Sequence, residues 1–160
     1  MRVLVIEDDA LVGAAIQMIL NREGCQTVHA RDADGGIEAF ESSSFDLVIV
    51  DIFIPGVNGL KTIARLCNQA PAISILAISG FRFCASMDPG RDFLSMAASV
   101  GATVCLRKPF THPQLMAAVR ASLNPALSNV PSAAIETQHK DRHDGTEHSS
   151  LQYSAVSASA

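Results

Sequence analysis

The sequence has few of the features that mark nucleic-acid-binding, membrane or secreted proteins. Its 12 basic residues are scattered over 160 positions and the formal net charge is -4, so no basic patch for nucleic acid is indicated. No apolar run approaches the roughly 18 residues that cross a bilayer. The four apolar residues after Arg2 are too few for a secretory signal. We therefore predict no direct DNA binding and no membrane association.

The sequence also lacks a C-x-x-C motif. Its four cysteines are widely spaced and have no evident metal-ligand pairing: Cys25, Cys67, Cys84 and Cys105. A disulfide framework or a zinc site would need a closer pattern. We predict reduced thiols in a cytoplasmic protein.

A change of composition near Asn124 divides the chain. Residues 124–160 are rich in Ser and Ala and have no sustained apolar period, so we predict a flexible tail without an output domain. Three histidines lie there: His139, His143 and His148. No cysteine or carboxylate framework organises them, which favours solvated side chains over a metal cluster. Residues 1–123 are long enough for one domain with its own core.

Within that domain, short β-rich runs alternate with helical patterns, which is typical of a parallel sheet covered by helices. The predicted strands are residues 2–6, 26–30, 46–50, 73–79 and 103–106. The predicted helices are residues 10–23, 34–41, 59–67, 89–99 and 111–123. The sequence therefore predicts a (βα)5 fold.

The first and fifth predicted helices carry end signals and apolar spacing. Asp9 can cap the start of the first helix and Gly24 can end it, while Thr111 and Gln114 fit a capping box for the fifth. In the first helix the apolar residues recur at helical spacing: Leu11, Ala14, Ala15, Met18 and Ile19. One face of the fifth carries Leu115, Met116, Val119 and Leu123.

Polar side chains stand at the predicted strand ends. In open parallel sheets the ligand crevice lies at the carboxyl ends of the strands. Those ends carry Glu7 and Asp8 on the first strand, Asp51 on the third, Ser79 on the fourth and Lys108 on the fifth. We expect them to meet on one rim, with the Asp51 carboxylate exposed at the tip of an otherwise buried strand.

This set of side chains suits phosphoryl chemistry. Three carboxylates brought together repel one another unless a cation lies among them. Mg²⁺ accepts carboxylate and phosphate oxygens and keeps some waters. A lysine and a serine at the same rim can bind phosphoryl oxygens. Asp51 is then the best placed nucleophile for an aspartyl-phosphate.

Four motifs in register carry a family resemblance. They are Glu7-Asp8-Asp9, residues 51–59 (DIFIPGVNG), Ile78-Ser79-Gly80 and Lys108-Pro109-Phe110. From about Arg2 to Leu123 the sequence resembles the receiver domain of bacterial two-component response regulators, of the stand-alone, single-domain type. The resemblance implies a flavodoxin-like three-layer α/β sandwich with a central five-stranded parallel sheet.

The resemblance also implies a role for each site residue. Asp51 would take a phosphoryl group from a phosphohistidine on a sensor histidine kinase or a histidine phosphotransfer protein. Asp8, Asp51 and the backbone carbonyl of Phe53 would ligate Mg²⁺, and Glu7 would act mostly through water. Lys108 would pair with the phosphoryl group, and the Lys108-Pro109 bond would be cis.

The switch and the output are implied in the same way. Ser79, with Gly80 beside it, would bind the phosphoryl group and draw the following loop along. The face made by helix 4, strand 5 and helix 5 would then contact a downstream protein partner, or a second copy in a homodimer. The domain would not be an enzyme beyond its own phosphoryl transfer and slow autodephosphorylation.

The sequence departs from the family pattern at two places. Cys105 stands where the family often has an aromatic residue that reports the state of the hydroxyl. The loop at residues 80–87 is longer than usual and carries Phe81, Phe83 and Met87, so an inert insertion and a partner contact both remain open. Phe53 and Phe81 flank the acceptor, and we predict that they slow loss of the phosphoryl group.

Two other function classes compete with the receiver. One is a pseudo-receiver that keeps the fold and binds partners without phosphorylation. The other is an Asp-nucleophile phosphatase of the haloacid-dehalogenase type. Such phosphatases carry D-x-D at the end of the first strand, whereas here that strand ends in Glu7-Asp8-Asp9 and Asp51 is followed by Ile52-Phe53, so the motif spacing disagrees.

Overall fold

Alternation of strands and helices along the chain gives one parallel sheet with helices on both faces. The computed structural model describes residues 1–54, 58–80 and 93–124. In these ranges the strands are β1 (Arg2–Ile6), β2 (Gln26–Ala30), β3 (Leu47–Asp51), β4 (Ser74–Ser79) and β5 (Val104–Arg107). The helices are α1 (Ala10–Arg22), α2 (Ala33–Ser42), α3 (Gly59–Gln69), α4 (Phe93–Ser99) and α5 (His112–Leu123).

The sheet has the strand order β2-β1-β3-β4-β5, and every pairing is parallel. β1 pairs with β2 on one side and with β3 on the other, so the chain reverses its direction of winding there. This reversal opens a crevice at the carboxyl ends of β1 and β3, where such folds bind ligands. The flavodoxin-like (βα)5 prediction is confirmed.

Each face of the sheet has its own apolar core. Alternate side chains of β1, including Val3 and Val5, pack under α1 and α5, while Leu4 and Ile6 pack under α2, α3 and α4. All five residues of β3 are buried because this strand lies in the middle of the sheet and is covered on both faces. A strand of this kind holds the residue at its end rigidly.

Helix ends follow the local signals. Asp9 caps α1, with its carboxylate accepting hydrogen bonds from Leu11 N at 2.8 Å and Val12 N at 3.2 Å. Gly24, just beyond this helix, has a φ of 79°, a conformation that favours glycine. At α5 the Gln114 carboxamide oxygen accepts from Thr111 N at 2.8 Å. These contacts confirm Asp9 and Gln114 in their predicted capping roles.

The apolar spacing in α1 predicted the helix but does not describe its buried face. Leu11, Ala14, Ala15 and Met18 are exposed, whereas Gly13, Ile16 and Leu20 are buried. In α5 the predicted face is correct, because Leu115, Met116 and Val119 are all buried. α1 therefore presents an apolar stripe to the solvent.

Some expectations fall outside the described residues. Residues 81–92, which include Phe81 and most of the long loop, are not among them, and neither is the predicted tail from residue 125 onward. Among the described helices none combines the length and hydrophobicity that a bilayer crossing requires.

Candidate functional site

The carboxyl ends of four neighbouring strands bring the predicted side chains together. Glu7 and Asp8 directly follow β1, Asp51 ends β3, Ser79 ends β4 and Lys108 follows β5. Oxygen atoms of Glu7, Asp8 and Asp51 lie within 4.8 Å of one another. The predicted rim is therefore a real cluster, formed by residues far apart in the sequence.

Lys108 joins two of the three carboxylates. Its ammonium donates a hydrogen bond to Asp51 Oδ2 at 2.8 Å and forms a second ion pair with Glu7 Oε2. The Lys108 backbone N–H donates to the Ser79 carbonyl at 2.7 Å, which ties the end of β5 to the end of β4. The peptide bond between Lys108 and Pro109 is cis, as expected.

Asp51 is more enclosed than its place at a strand tip suggested. The residue is only 5% exposed, so the expectation of an exposed carboxylate is wrong. Lys108 covers Oδ2, and the backbone N–H of Phe53 donates to Oδ1 at 2.9 Å. Both oxygens of the candidate nucleophile are thus held in a fixed orientation.

The charges in the cluster do not balance. Three carboxylates face the single ammonium of Lys108 among the described side chains of the site. Burial raises the pKa of Glu7 from its usual 4.5 to about 7, against the lowering effect of Lys108. Burial alone would lower the pKa of Lys108, but its hydrogen bonds to Asp51 and Glu7 raise it above its usual value. The site therefore favours an additional positive charge.

The donor atoms fit a hard divalent cation. Carboxylate oxygens are the ligands that Mg²⁺ and Ca²⁺ prefer, and Mg²⁺ is commonly bound by one or two carboxylates with waters completing its shell. Among the described residues, the ligand-bearing side chains that lie close enough to share an ion are Glu7, Asp8 and Asp51. A divalent ion among them would offset the repulsion between these carboxylates.

The remaining predicted residues surround this centre. Ser79 is buried at the end of β4, and an added Cβ at Gly80 would meet no atom of the described residues within 4 Å. Cys105 is half-buried in β5. Phe53 is 42% exposed, which places a large ring at the edge of the site while its backbone contacts Asp51.

Gly59 allows α3 to start directly beneath the acceptor. A Cβ at this position would lie 2.7 Å from Ile52 Cα and 2.5 Å from the Asp51 carbonyl oxygen. The Gly59 N–H also donates to the Ile52 carbonyl at 3.2 Å. This close approach explains why a glycine ends the motif that begins at Asp51.

One residue near the site was not singled out from the sequence. The His29 side chain reaches from β2 to the backbone carbonyl of Glu7, with Nε2 at 2.8 Å from that oxygen. The sequence did contain a clue to this contact, namely Gly13. A glycine within a helix often marks a place where another group packs closely against it. The His29 ring fills the space that a side chain at Gly13 would need.

A cavity of about 710 Å³ lies away from this cluster, at the amino ends of β3 and β4. It is lined by residues 40–46 and by Ala70, Ala72 and Ile73. None of the residues predicted for the site contributes to it. We therefore do not assign the functional site to this cavity. The charged groups that converge lie at the opposite end of the sheet.

The fold and the cluster define an α/β domain with a candidate cation site at the carboxyl ends of its strands, and comparison with known proteins identifies its family. The profile of the response regulator receiver domain family matches residues 3–120. The chain belongs to this family.

Individual relatives are similar over most of the chain. It is 30% identical over 123 residues to YcbL, an uncharacterised transcriptional regulatory protein of Bacillus subtilis, covering 77% of this chain and 51% of YcbL. It is 29% identical over 136 residues to the sensor histidine kinase AruS of Pseudomonas aeruginosa, covering 85% of this chain and 13% of AruS. The chain thus spans about half or less of these two relatives.

A solved structure supports the same assignment. The receiver domain of NtrX from Brucella abortus superimposes with a TM-score of 0.68 at 27% identity, covering 76% of this chain and 98% of the NtrX domain. The chain is therefore a receiver domain of two-component systems in both sequence and fold.

Proposed function

We propose that this receiver domain is a phosphorylation-controlled switch in which Asp51 accepts a phosphoryl group from a protein phosphohistidine. The observation that carries the proposal is the convergence of Asp51, two further carboxylates and Lys108 at neighbouring strand ends. A structural ion pair would need one carboxylate, and two extra buried or half-buried acids are costly without a cation to bind.

In the proposed transfer an Asp51 carboxylate oxygen attacks the phosphorus atom. The new O–P bond forms while the P–N bond to the donor imidazole breaks, and the bond electrons leave with the imidazole, which takes up a proton. The hydrogen bond from Phe53 N fixes the Asp51 carboxylate plane, so the nucleophile is already oriented. Burial of Asp51 limits its solvation by water and favours attack on the phosphoryl group.

Lys108 and Ser79 bind the product. Lys108 neutralises Asp51 before transfer and can move its ammonium onto a phosphoryl oxygen afterwards, because it is a single charge on a flexible stem. The Ser79 hydroxyl lies at the adjacent strand end and can donate to another phosphoryl oxygen. Movement of Ser79 would pull on Gly80 and so alter the following loop.

Mg²⁺ is the proposed cofactor, held by Asp8, Asp51 and the Phe53 carbonyl, with Glu7 acting mostly through water. When bound it supplies positive charge for the phosphoryl oxygens and for the carboxylates around it. Three carboxylates against one ammonium among the described side chains of the site support a cation here. The domain turns over no substrate other than its own phosphoryl group, which makes it a switch and not an enzyme.

The apolar stripe on α1 supports a protein as the donor. Leu11 is 83% exposed and lies at the start of α1, two residues beyond Asp9, and Met18 is 50% exposed on the same face. A protein that brings a phosphohistidine to Asp51 would cover part of the rim around the carboxyl ends of the strands. We therefore assign this stripe to the phosphodonor, a sensor histidine kinase or a histidine phosphotransfer protein.

The output is a protein contact made by the α4, β5 and α5 face, without direct DNA binding by residues 1–124. A second copy of the chain is one partner that this face could take. A pull-down from cell extract with and without the phosphoryl mimic beryllofluoride tests this part, since the proposal requires partners that depend on beryllofluoride.

Phosphorylation itself is tested by treating the protein with acetyl phosphate and Mg²⁺ and following its intact mass. We expect one added phosphoryl group, no addition in D51N and normal addition in the control D34N, which alters an exposed acid on α2. Absence of phosphorylation in the wild type would favour the pseudo-receiver. Sustained turnover of a phosphate ester would favour the phosphatase.

A further inference from the structure

We infer that His29 is a positioning residue for the acidic pair and that Gly13 is present to make room for it. The inference rests on the proposed cation site. His29 lies opposite Val5 in the β1–β2 pairing, and its half-buried side chain points to the α1 side of the sheet. From there the ring reaches past the end of β1 to the first peptide group of the site.

The hydrogen bond has a defined direction. The Glu7 carbonyl oxygen can only accept, so His29 Nε2, at 2.8 Å, must carry the proton and donate. The Glu7 N–H donates to the Ala30 carbonyl at 3.0 Å. β2 therefore holds the Glu7 backbone from both sides, once through its main chain and once through the His29 ring.

This bond fixes the peptide plane that leads into Asp8. A peptide unit is planar, so the orientation of the Glu7 C=O also sets the orientation of the Asp8 N–H and the start of the Asp8 backbone. The Glu7 residue is only 1% exposed, and an apolar side chain in place of the imidazole would leave its carbonyl without this donor. His29 thus acts on the carboxylates through the backbone, without touching them.

Gly13 provides the space for this arrangement. A Cβ at Gly13 would overlap the His29 ring atoms Cε1 and Nε2. Glycine within a helix is unfavourable relative to alanine, so an α1 without this constraint would be more stable with Ala at this position. The glycine is explained by the His29 ring that packs against it, so we treat the two residues as one structural unit.

The test combines the wild type with four variants and two readouts. Heteronuclear NMR of wild-type imidazoles at pH 8, where imidazoles are ordinarily neutral, gives the tautomer of His29. Calorimetric titration with Mg²⁺ alone gives the dissociation constant of the wild type, H29L, H29Q, G13A and the double variant G13A/H29A. H29L keeps apolar volume without a donor, while H29Q keeps a donor at a similar reach.

We expect the Nε2–H tautomer for His29 and an approximately tenfold weaker Mg²⁺ affinity in H29L, the size typical of lost outer partners of metal ligands. H29Q should stay within about threefold of the wild type. G13A should weaken Mg²⁺ binding like H29L, although residue 13 touches no carboxylate of the site. G13A/H29A should regain thermal stability relative to G13A but not Mg²⁺ affinity.

Other results would overturn the inference. The Nδ1–H tautomer would contradict the hydrogen bond directly, whatever the metal does. Equal Mg²⁺ affinity in the wild type and H29L, or equal losses in H29L and H29Q, would reduce His29 to a packing residue. Wild-type protein that does not bind Mg²⁺ would contradict the proposed function, whereas wild-type binding that ignores H29L would contradict this inference alone.

Discussion

The ammonium of Lys108 lies 2.8 Å from Asp51 Oδ2, although 57 residues separate the two in the sequence. The same ammonium pairs with Glu7, so one cation joins the ends of β1, β3 and β5. Lys108 therefore encloses the Asp51 carboxylate and offsets part of the negative charge that the fold concentrates at this edge. In the proposed switch, both contacts exist before phosphorylation.

Removal of this ammonium should destabilise the fold in the absence of divalent ions. We expect K108A to lose up to about 3 kcal/mol of unfolding free energy, the lower end of the range for a broken buried pair, since the Lys108 side chain is 16% exposed. Excess Mg²⁺ should recover much of the loss. Urea unfolding in EDTA and in Mg²⁺ measures both effects.

A control separates this effect from a general loss of positive charge. Lys61 is an exposed lysine on α3, and K61A should leave the unfolding free energy nearly unchanged. K108A should also react with acetyl phosphate far more slowly than K61A. Equal stability of the two variants in EDTA would mean that the ion pairs of Lys108 contribute nothing.

The raised pKa of Glu7 predicts how stability depends on pH without metal. Between pH 4.5 and about 7 the folded protein holds a proton on Glu7 that the unfolded chain releases. Stability from this group is therefore fully present below pH 4.5 and is lost as the pH rises through 7. A shift of this size corresponds to on the order of 3 kcal/mol.

Urea unfolding at several pH values in EDTA measures the slope of the unfolding free energy against pH. E7Q should flatten it, because the amide does not titrate, whereas E38Q on the exposed side of α2 should leave it unchanged. The stability that Asp9 contributes has the opposite pH dependence and changes at lower pH. The reason is that hydrogen bonds from Val12 N and Leu11 N lower the pKa of Asp9 below the usual 3.8. A slope that persists in E7Q would assign the effect to another group.

Much of the fold could be predicted from the sequence because local signals agree with the tertiary structure. The strands are short β-branched runs bounded by polar residues, and each predicted strand differs from the observed one by at most one residue at either end. Asp51 and Lys108 could be placed at one edge for the same reason, since parallel strands bring their carboxyl ends together.

Other features depend on packing that no short segment encodes. α1 is apolar on more than one face, so its spacing could not tell whether Leu11 or Ile16 would be buried; contact with β1 and β2 decides this. The contact of Lys108 with Asp51 Oδ2 joins residues 57 positions apart, so it belongs to the tertiary structure. His29 bonds to Glu7 across 22 residues, and only the paired strands reveal that contact.

The exposed ring of Phe53 should determine how long the phosphoryl group persists. Its backbone is fixed by the bond to Asp51 Oδ1, so the ring stands at the edge of the site and is 42% exposed. F53N should lose phosphate severalfold faster because a small polar side chain admits water, while F53M should resemble the wild type. Phosphate release after removal of acetyl phosphate gives these rates, and equal rates in all three proteins would refute the role.

The exposed stripe of α1 should matter only when the phosphodonor is a protein. L11E places a charge on the most exposed residue of the stripe, 83% accessible, at the start of α1. Phosphorylation by acetyl phosphate should stay unchanged, because the small donor needs no docking surface. Transfer from autophosphorylated histidine kinases is assayed as a panel. It should slow at least tenfold for the kinase that reacts fastest with the wild type, since a charge buried without a partner at an interface is costly.

M96E, which alters an apolar side chain on α4 that is 39% exposed, serves as the matched control. Slower transfer in M96E than in L11E would move the donor surface from α1 to α4.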